Sequence, residues 1–262
     1  MQKIESEFIR NQYRSGLQSY TSLTKEIGLW NSEKYVFQKY LNQNNNILDL
    51  GCGTGRTTFP LNKLGYSKII GVDLTPEMIE IAQELNTYFD SEIDFKIGDA
   101  TNLEFSDSIF DVVIFSFNGL MSIPNSLNRD KAVNEINRVL KDSGIFIFTT
   151  HDREKEEQYV KFWEEEETRW KTGKQNPILF EFGDLITQSK NESREIFIHI
   201  PNQNEVKEVL NNNGFEVIET FYRSDKFNES DYIKSKSGEC RFWITKKKKS
   251  NLFKWPHYDL YT

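Results

Sequence analysis

Apolar residues recur along this chain in two rhythms. From Asn46 to about Thr150, short apolar runs (Ile47–Leu50, Ile69–Val72, Ile93–Ile97, Phe110–Phe115 and Ile145–Thr150) alternate with other segments. In those others, Thr57–Leu64, Pro76–Tyr88 and Arg129–Leu140, apolar positions repeat every three or four residues. The first rhythm predicts strands buried on both faces, the second amphipathic helices. Thr75 ahead of Pro76 marks a helix start as its N-cap, and Gly144 closes the helix before the fifth strand. Strands separated by helices predict parallel βαβ units with right-handed crossovers.

Outside this stretch the pattern changes. Glu5–Ser19 and Asn31–Leu41 have helical spacing, as does an acidic segment at about Arg153–Lys171. Ile178–Ile186 and Glu195–Ile200 are apolar stretches that suit an added antiparallel pair. A helix at Asn202–Asn212, a strand at Phe215–Phe221 and a strand at Cys240–Thr245 resume the core pattern. The link between the last two strands is short for a helical crossover, which predicts antiparallel neighbours. The chain therefore divides into a helical cap (1–45), a core (46–150 and 201–247), an insert (151–200) over the carboxyl ends of the strands, and a tail (248–262). Open α/β sheets bind ligands at that end.

Composition narrows the function classes. The 262 residues are 37% hydrophobic and 28% charged, enough apolar material for a full core. No apolar run approaches a membrane span, and the N-terminus lacks the apolar region of a secretory signal, so a cytoplasmic location is expected. Cys52 and Cys240 form no metal or redox spacing and read as reduced, small apolar residues; no metal is expected. A net charge of −7 argues against a nucleic-acid substrate. The basic cluster Lys246–Lys249 reads as a solvated strand end.

Chemistry concentrates in Ile47-Leu-Asp-Leu-Gly-Cys-Gly-Thr-Gly-Arg56. Glycines at 51, 53 and 55 let the backbone turn sharply and approach a ligand. Amides opening the next helix then face an electron-rich group. A dinucleotide fingerprint wants G-x-G-x-x-G, but its third position holds Arg56 and the glycine falls one residue early. Asp73 ends the second strand, where a carboxylate accepts ribose hydroxyls; otherwise it is a strand-end acid or a helix cap. Asp99, in Gly98-Asp99-Ala100, stands where it accepts from an adenine amino group, or makes an Asx-turn.

Taken together these motifs resemble the class I S-adenosylmethionine-dependent methyltransferases, especially their small-molecule branch. The matching stretches are Leu48–Gly55, Gly71–Met78, Gly98–Leu103 and Phe110–Asn118. The resemblance implies a Rossmann-like α/β sheet of seven strands, mostly parallel with the last antiparallel, and S-adenosylmethionine as cofactor, with S-adenosylhomocysteine as product. It implies that Asp49, Gly51 and Gly53, with Cys52 in the same turn, surround the methionine portion. Asp73 would take the ribose, Leu74 and Met78 would pack near the adenine, and Asp99 and Ala100 would read its edge. Phe115 and Ser116 would close the methionine side, and Tyr13 and Tyr20 resemble the aromatics that cover the cofactor.

Methyl transfer is an in-line displacement in which holding and aligning the nucleophile matters most, so no catalytic group is obligatory. The sequence offers three candidates. His151 ends the fifth strand and is either a base or a strand-end residue bonded to the insert, with Asp152 orienting it or capping a helix. Asn118 either bonds substrate or makes a turn with Gly119. In the acidic segment Tyr159, Phe162, Trp163 and Trp170 share one helical stripe with Glu166. That stripe is either packing or an aromatic pocket for a cationic amine.

The expected function is methyl transfer to an N or O atom of a small-molecule acceptor, with no nucleic-acid or membrane partner. Protein methylation and a non-catalytic cofactor-binding regulator are the alternatives, and NAD-dependent reduction is opposed by Arg56 and by the Gly98-Asp99-Ala100 motif.

Overall fold

The structure is a computed structural model that describes residues 3–155, 159–188 and 194–249. The aromatic tail Trp255–Tyr261 lies outside the described residues. Nine strands and ten α-helices occur among the described residues in the order α1 (Ser6–Arg14), α2 (Leu17–Glu26), α3 (Asn31–Tyr40), β1 (Ile47–Leu50), α4 (Thr58–Lys63), β2 (Ile69–Asp73), α5 (Pro76–Phe89), β3 (Asp94–Ile97) and β4 (Phe110–Phe115). A short 3-10 helix (Gly119–Ser122) precedes α6 (Ser126–Val139), β5 (Leu140–Thr150), α7 (Val160–Lys171), β6 (Asp184–Gln188) and β7 (Glu195–His199). The chain closes with α8 (Gln203–Asn212), β8 (Phe215–Tyr222), α9 (Arg223–Lys226), α10 (Asp231–Lys236) and β9 (Arg241–Lys247).

Seven strands form one sheet in the order β3-β2-β1-β4-β5-β9-β8. β9 runs antiparallel to both β5 and β8, and the other pairings are parallel. This is the expected Rossmann-like architecture with an antiparallel last strand. β6 and β7 form a separate antiparallel pair.

Alternation along the strands divides the core between the two faces of the sheet. Ile47, Val112, Ile114, Ile147 and Ile244 pack with α3, α4 and α5 residues such as Phe37, Phe59 and Ile79. Leu48, Val113, Phe146, Phe148 and Trp243 pack on the other face with Val133, Ile136 and Leu210 of α6 and α8. Burial on both faces explains why these strands are continuous apolar runs. A third cluster joins α1 to the β6–β7 pair through Ile4, Ile9, Leu179 and Phe197.

Local details depart from the sequence reading. Glu5–Ser19 is two helices, broken at Ser15–Gly16, and α2 continues to Glu26. Thr75 occupies the N-cap of α5, yet its side chain makes no capping bond; Asp73 Oδ1 accepts the Thr75 amide instead, at 2.8 Å. β5 begins at Leu140, so no loop separates it from α6. The link between β8 and β9 carries α9 and α10, and the two strands still pair antiparallel. In the basic cluster, Lys247 Nζ donates to the carbonyls of Asn137 and Leu140 at 2.7 Å each, closing the C-terminus of α6.

Candidate functional site

The site begins where β1 ends. Gly51 and Gly53 have φ of +64° and +54°, the left-handed region that favours glycine. A Cβ at Gly51 would stand 2.6 Å from Phe115 Cε2, so the ring at the end of β4 requires glycine there. Gly53 N donates to Asp73 Oδ2 at 2.9 Å. Through its two oxygens Asp73 thus ties the glycine turn to the Thr75 amide at the N-cap of α5. Burial raises the Asp73 pKa, and the backbone donors from Thr75 and Gly53 pull against that rise.

Arg56 points away from the turn. Its Nη1 and Nη2 meet Glu33 Oε2 and Oε1 at 2.8 and 2.6 Å, a buried bidentate pair, and Nη1 also donates to Gly28 O. Glu33 in turn accepts the Trp30 amide at the start of α3. Arg56 therefore locks the helical cap onto the turn.

A cavity of about 490 Å³ lies over the carboxyl ends of β1, β2 and β4. That is the place where the strand order reverses and open sheets bind ligands. Of the residues singled out for a cofactor, Tyr20, Gly51, Cys52, Gly53, Asp73, Leu74, Met78, Asp99, Ala100, Phe115 and Ser116 line it. Asp99 Oδ1 accepts from both the amide and the hydroxyl of Thr101 at 2.8 Å, an Asx-turn that leaves the carboxylate further acceptor capacity. Two carboxylates flanking Leu74, Met78 and Ala100 suit a ligand that combines a sugar diol with a flat amino-heterocycle.

Asp49 requires correction. It does not line the cavity. Its side chain is 1% exposed and accepts Thr58 Oγ1 at 2.6 Å, fastening the start of α4 to β1. Burial pushes its pKa up to about 7, with the Thr58 bond and the Arg56 charge opposing.

The three catalytic candidates also lie outside the lining. Asn118, 7% exposed and in the left-handed region at φ 60°, places Nδ2 3.1 Å from His151 Nε2. His151 Nδ1 lies 2.6 Å from the Glu239 carbonyl and must donate to it, which leaves Nε2 to accept from Asn118. The imidazole lone pair is therefore used in a structural bridge from β5 to Asn118. Asp152 Oδ2 accepts Tyr222 Oη at 2.6 Å, and its Oδ1 accepts the Glu154 amide at 3.0 Å. Glu166 pairs with Arg169 one turn along α7. Within α7 the stripe packs through two rings, since Trp163 meets the Phe182 ring edge-on at 5.8 Å and Trp170 joins the cluster between α1 and the β6–β7 pair, while Tyr159 ahead of the helix is exposed.

The roof holds what sequence reading missed. Ile4, Ile9, Leu23, Thr24, Ser122, Ile123, Pro124 and Phe180 all line the cavity. Tyr13, expected over the cofactor, lines it too, and its hydroxyl donates to Ser122 Oγ at 2.7 Å. Burial first, then the neighbouring Tyr20 and Asp73, raise the Tyr13 pKa, so the phenol stays neutral. Thr24 Oγ1 lies 2.6 Å from Thr54 Oγ1, joining α2 to the glycine turn. The Ile4 amide donates to Ile178 O at 3.3 Å, and the amide of Phe180 donates to Asp184 Oδ2 at 2.9 Å. Asp184 Oδ1 is bonded to His199 Nδ1 at 2.9 Å, so the β6–β7 pair holds Phe180 in place. Sequence reading gave helical spacing to Glu5–Ser19 and placed the insert with its apolar stretch Ile178–Ile186 over the strand ends, but apart from Tyr13 it singled out none of these lining residues.

Comparison with known proteins agrees with this geometry. A methyltransferase-domain family model matches residues 41–214. An uncharacterised protein of Methanocaldococcus jannaschii is 29% identical over 92% of each chain. The demethylmenaquinone methyltransferase of Staphylococcus haemolyticus is 28% identical over 65% of this chain and 68% of its own. Among solved structures, an S-adenosylmethionine-dependent methyltransferase of Methanosarcina mazei superimposes with a TM-score of 0.66, at 22% identity, covering 85% of this chain and 99% of that one.

Proposed function

The chain belongs to the methyltransferase-domain family and uses S-adenosylmethionine, and from that premise we propose that it methylates a nitrogen or oxygen atom of a small molecule held in the roofed chamber. The observation that carries this reading is the continuity of one cavity. The same space touches Gly51, Asp73 and Asp99 at its floor and Ile4, Ile9 and Phe180 at its roof. Its volume lies within the roughly 300–1,000 Å³ typical of small-molecule pockets.

In this reading Asp73 accepts the ribose hydroxyls, while Asp99 and the Ala100 amide read the adenine edge between Leu74 and Met78. Backbone groups at Gly51–Gly53 and the Phe115–Ser116 corner hold the methionine end, and Tyr20 covers it. Bound S-adenosylmethionine supplies a methyl group already made electrophilic by its sulfonium. The residues of this chain then have to align the acceptor and keep water out. Ile4, Ile9, Ile123, Pro124 and Phe180 are suited to exclude water from the reacting atoms, and the Tyr13–Ser122 bond ties α1 to the segment after β4.

The test is incubation of the intact chain with methyl-labelled donor and a cell extract separated into metabolites and macromolecules. Label is expected in a compound of low molecular mass. Label confined to protein, or none in either fraction, refutes the reading.

A further inference from the structure

The charge and base content of the chamber bear on the acceptor's chemical class, a question that rests on the small-molecule reading above. Among the described residues that line it, the acids are Glu5, Glu7, Asp73 and Asp99, and the sole cation, Arg56, is neutralised by Glu33 at 2.6 Å. Glu7 lies 3.8 Å from Arg10, outside the lining. Of the lining rings, Phe180, Phe117 and Tyr20 carry Lys3, Arg56 and Arg194 over them at 5.3, 5.3 and 5.2 Å, so the faces offered to an acceptor are those of Tyr13 and Phe115. Among the described residues the lining includes no imidazole or ammonium group, and His151 lies outside it, engaged by Asn118 and the Glu239 carbonyl. The Tyr13 phenol is neutral and committed to Ser122. Burial, followed by Asp73 and Asp49, drives the Cys52 thiol well above its ordinary range.

We propose that the acceptor is an amine carried on an apolar or aromatic molecule, and not a hydroxyl, carboxylate or phosphate. The amine sheds its ammonium proton to bulk water before it enters, and it then brings its own lone pair and needs no base in the chamber. That lone pair forms the new N–C bond, and the pair from the broken S–C bond stays on sulfur. The positive charge passes from sulfur to nitrogen, and the ammonium proton leaves to water once the product departs. Transfer to an amine conserves one positive charge in the chamber throughout, whereas transfer to an oxyanion cancels it. With Asp73 and Asp99 given to the donor, Glu5 and Glu7 are the carboxylates left to favour the cation that forms on nitrogen and to repel an anionic acceptor.

The test titrates three probes of nearly equal shape, phenethylamine, 2-phenylethanol and 3-phenylpropionate, into the chain saturated with S-adenosylhomocysteine. The amine is expected to bind roughly tenfold tighter than either partner. Glu5→Gln, at an exposed position, should weaken the amine a few-fold and leave S-adenosylhomocysteine binding unchanged. Equal or tighter binding of the alcohol or the acid, or binding of none of the three, overturns the proposal. The labelled-extract experiment separates the two failures. A methylated hydroxyl or carboxyl metabolite sinks the amine reading alone, and label confined to protein sinks both.

Discussion

Asp49 and Asp73 are both acids at the ends of neighbouring strands, and they do opposite things. Asp73 reaches the cavity, while Asp49 is sealed under α4 with its pKa pushed up to about 7. The folded chain therefore keeps a proton that the unfolded chain loses near pH 4. Folding stability contributed by this group falls as pH rises from about 4 to about 7. Asp49→Asn, which can still accept from Thr58, should flatten that decline in urea midpoints measured across the window. Parallel curves for the two proteins would contradict this origin. The difference was not legible in the sequence: strand alternation puts Asp49 on the face of Ile47 and Asp73 on the face of Ile69, and those two faces pack in one cluster. The Arg56–Glu33 pair was not legible, because its partners are 23 residues apart and only the packed cap brings them together. Glu33→Ala would strand a buried guanidinium, and a loss of about 3–5 kcal/mol in urea unfolding is expected. A loss below about 1 kcal/mol would mean that solvent already reaches the pair.

At the scale of elements, hydrophobic rhythm predicted the core strands and helices because burial on two faces writes itself into local sequence. The break between α1 and α2 is different. Near Gly16 the Arg194 guanidinium fills the space that a side chain would occupy, and it donates to Gln12 O at 2.9 Å. That is a contact across the fold which no local pattern carries. The α7 stripe shows the converse, since helical aromatics reported burial and said nothing about ligands. Gln12 is the clearest joint between α1 and the insert: its Oε1 accepts the Phe197 amide at 2.8 Å inside the third cluster. Gln12→Leu would leave that amide without its acceptor, at about 1–3 kcal/mol. Hydrogen exchange should then quicken at Phe197 and along α1, and S-adenosylhomocysteine should dissociate faster. Unchanged protection at Phe197 would show that the joint does not hold the roof.

Across the whole molecule, the floor of the chamber comes from motifs that sequence alone exposes, and the roof comes from segments as distant as Ile4 and Phe180. The motif-built floor was therefore readable and the roof was not, because shape there arises from helices and a hairpin that meet only in the fold. Among the described residues no helix is long and apolar enough to cross a membrane, so none of the roof helices is a membrane span. Binding to this chamber should stabilise the fold as a unit: at about 100 times its dissociation constant, S-adenosylhomocysteine should add about 2.7 kcal/mol to unfolding. The central claim is that donor and acceptor share one roofed space, and a crystal structure of the chain with S-adenosylhomocysteine tests it most directly. The predicted result places the ribose on Asp73, the adenine beside Asp99, and the sulfur facing open volume beneath Ile4, Ile9 and Phe180. A sulfur turned away from that roof, or a product that fills the space beneath it, would contradict the account.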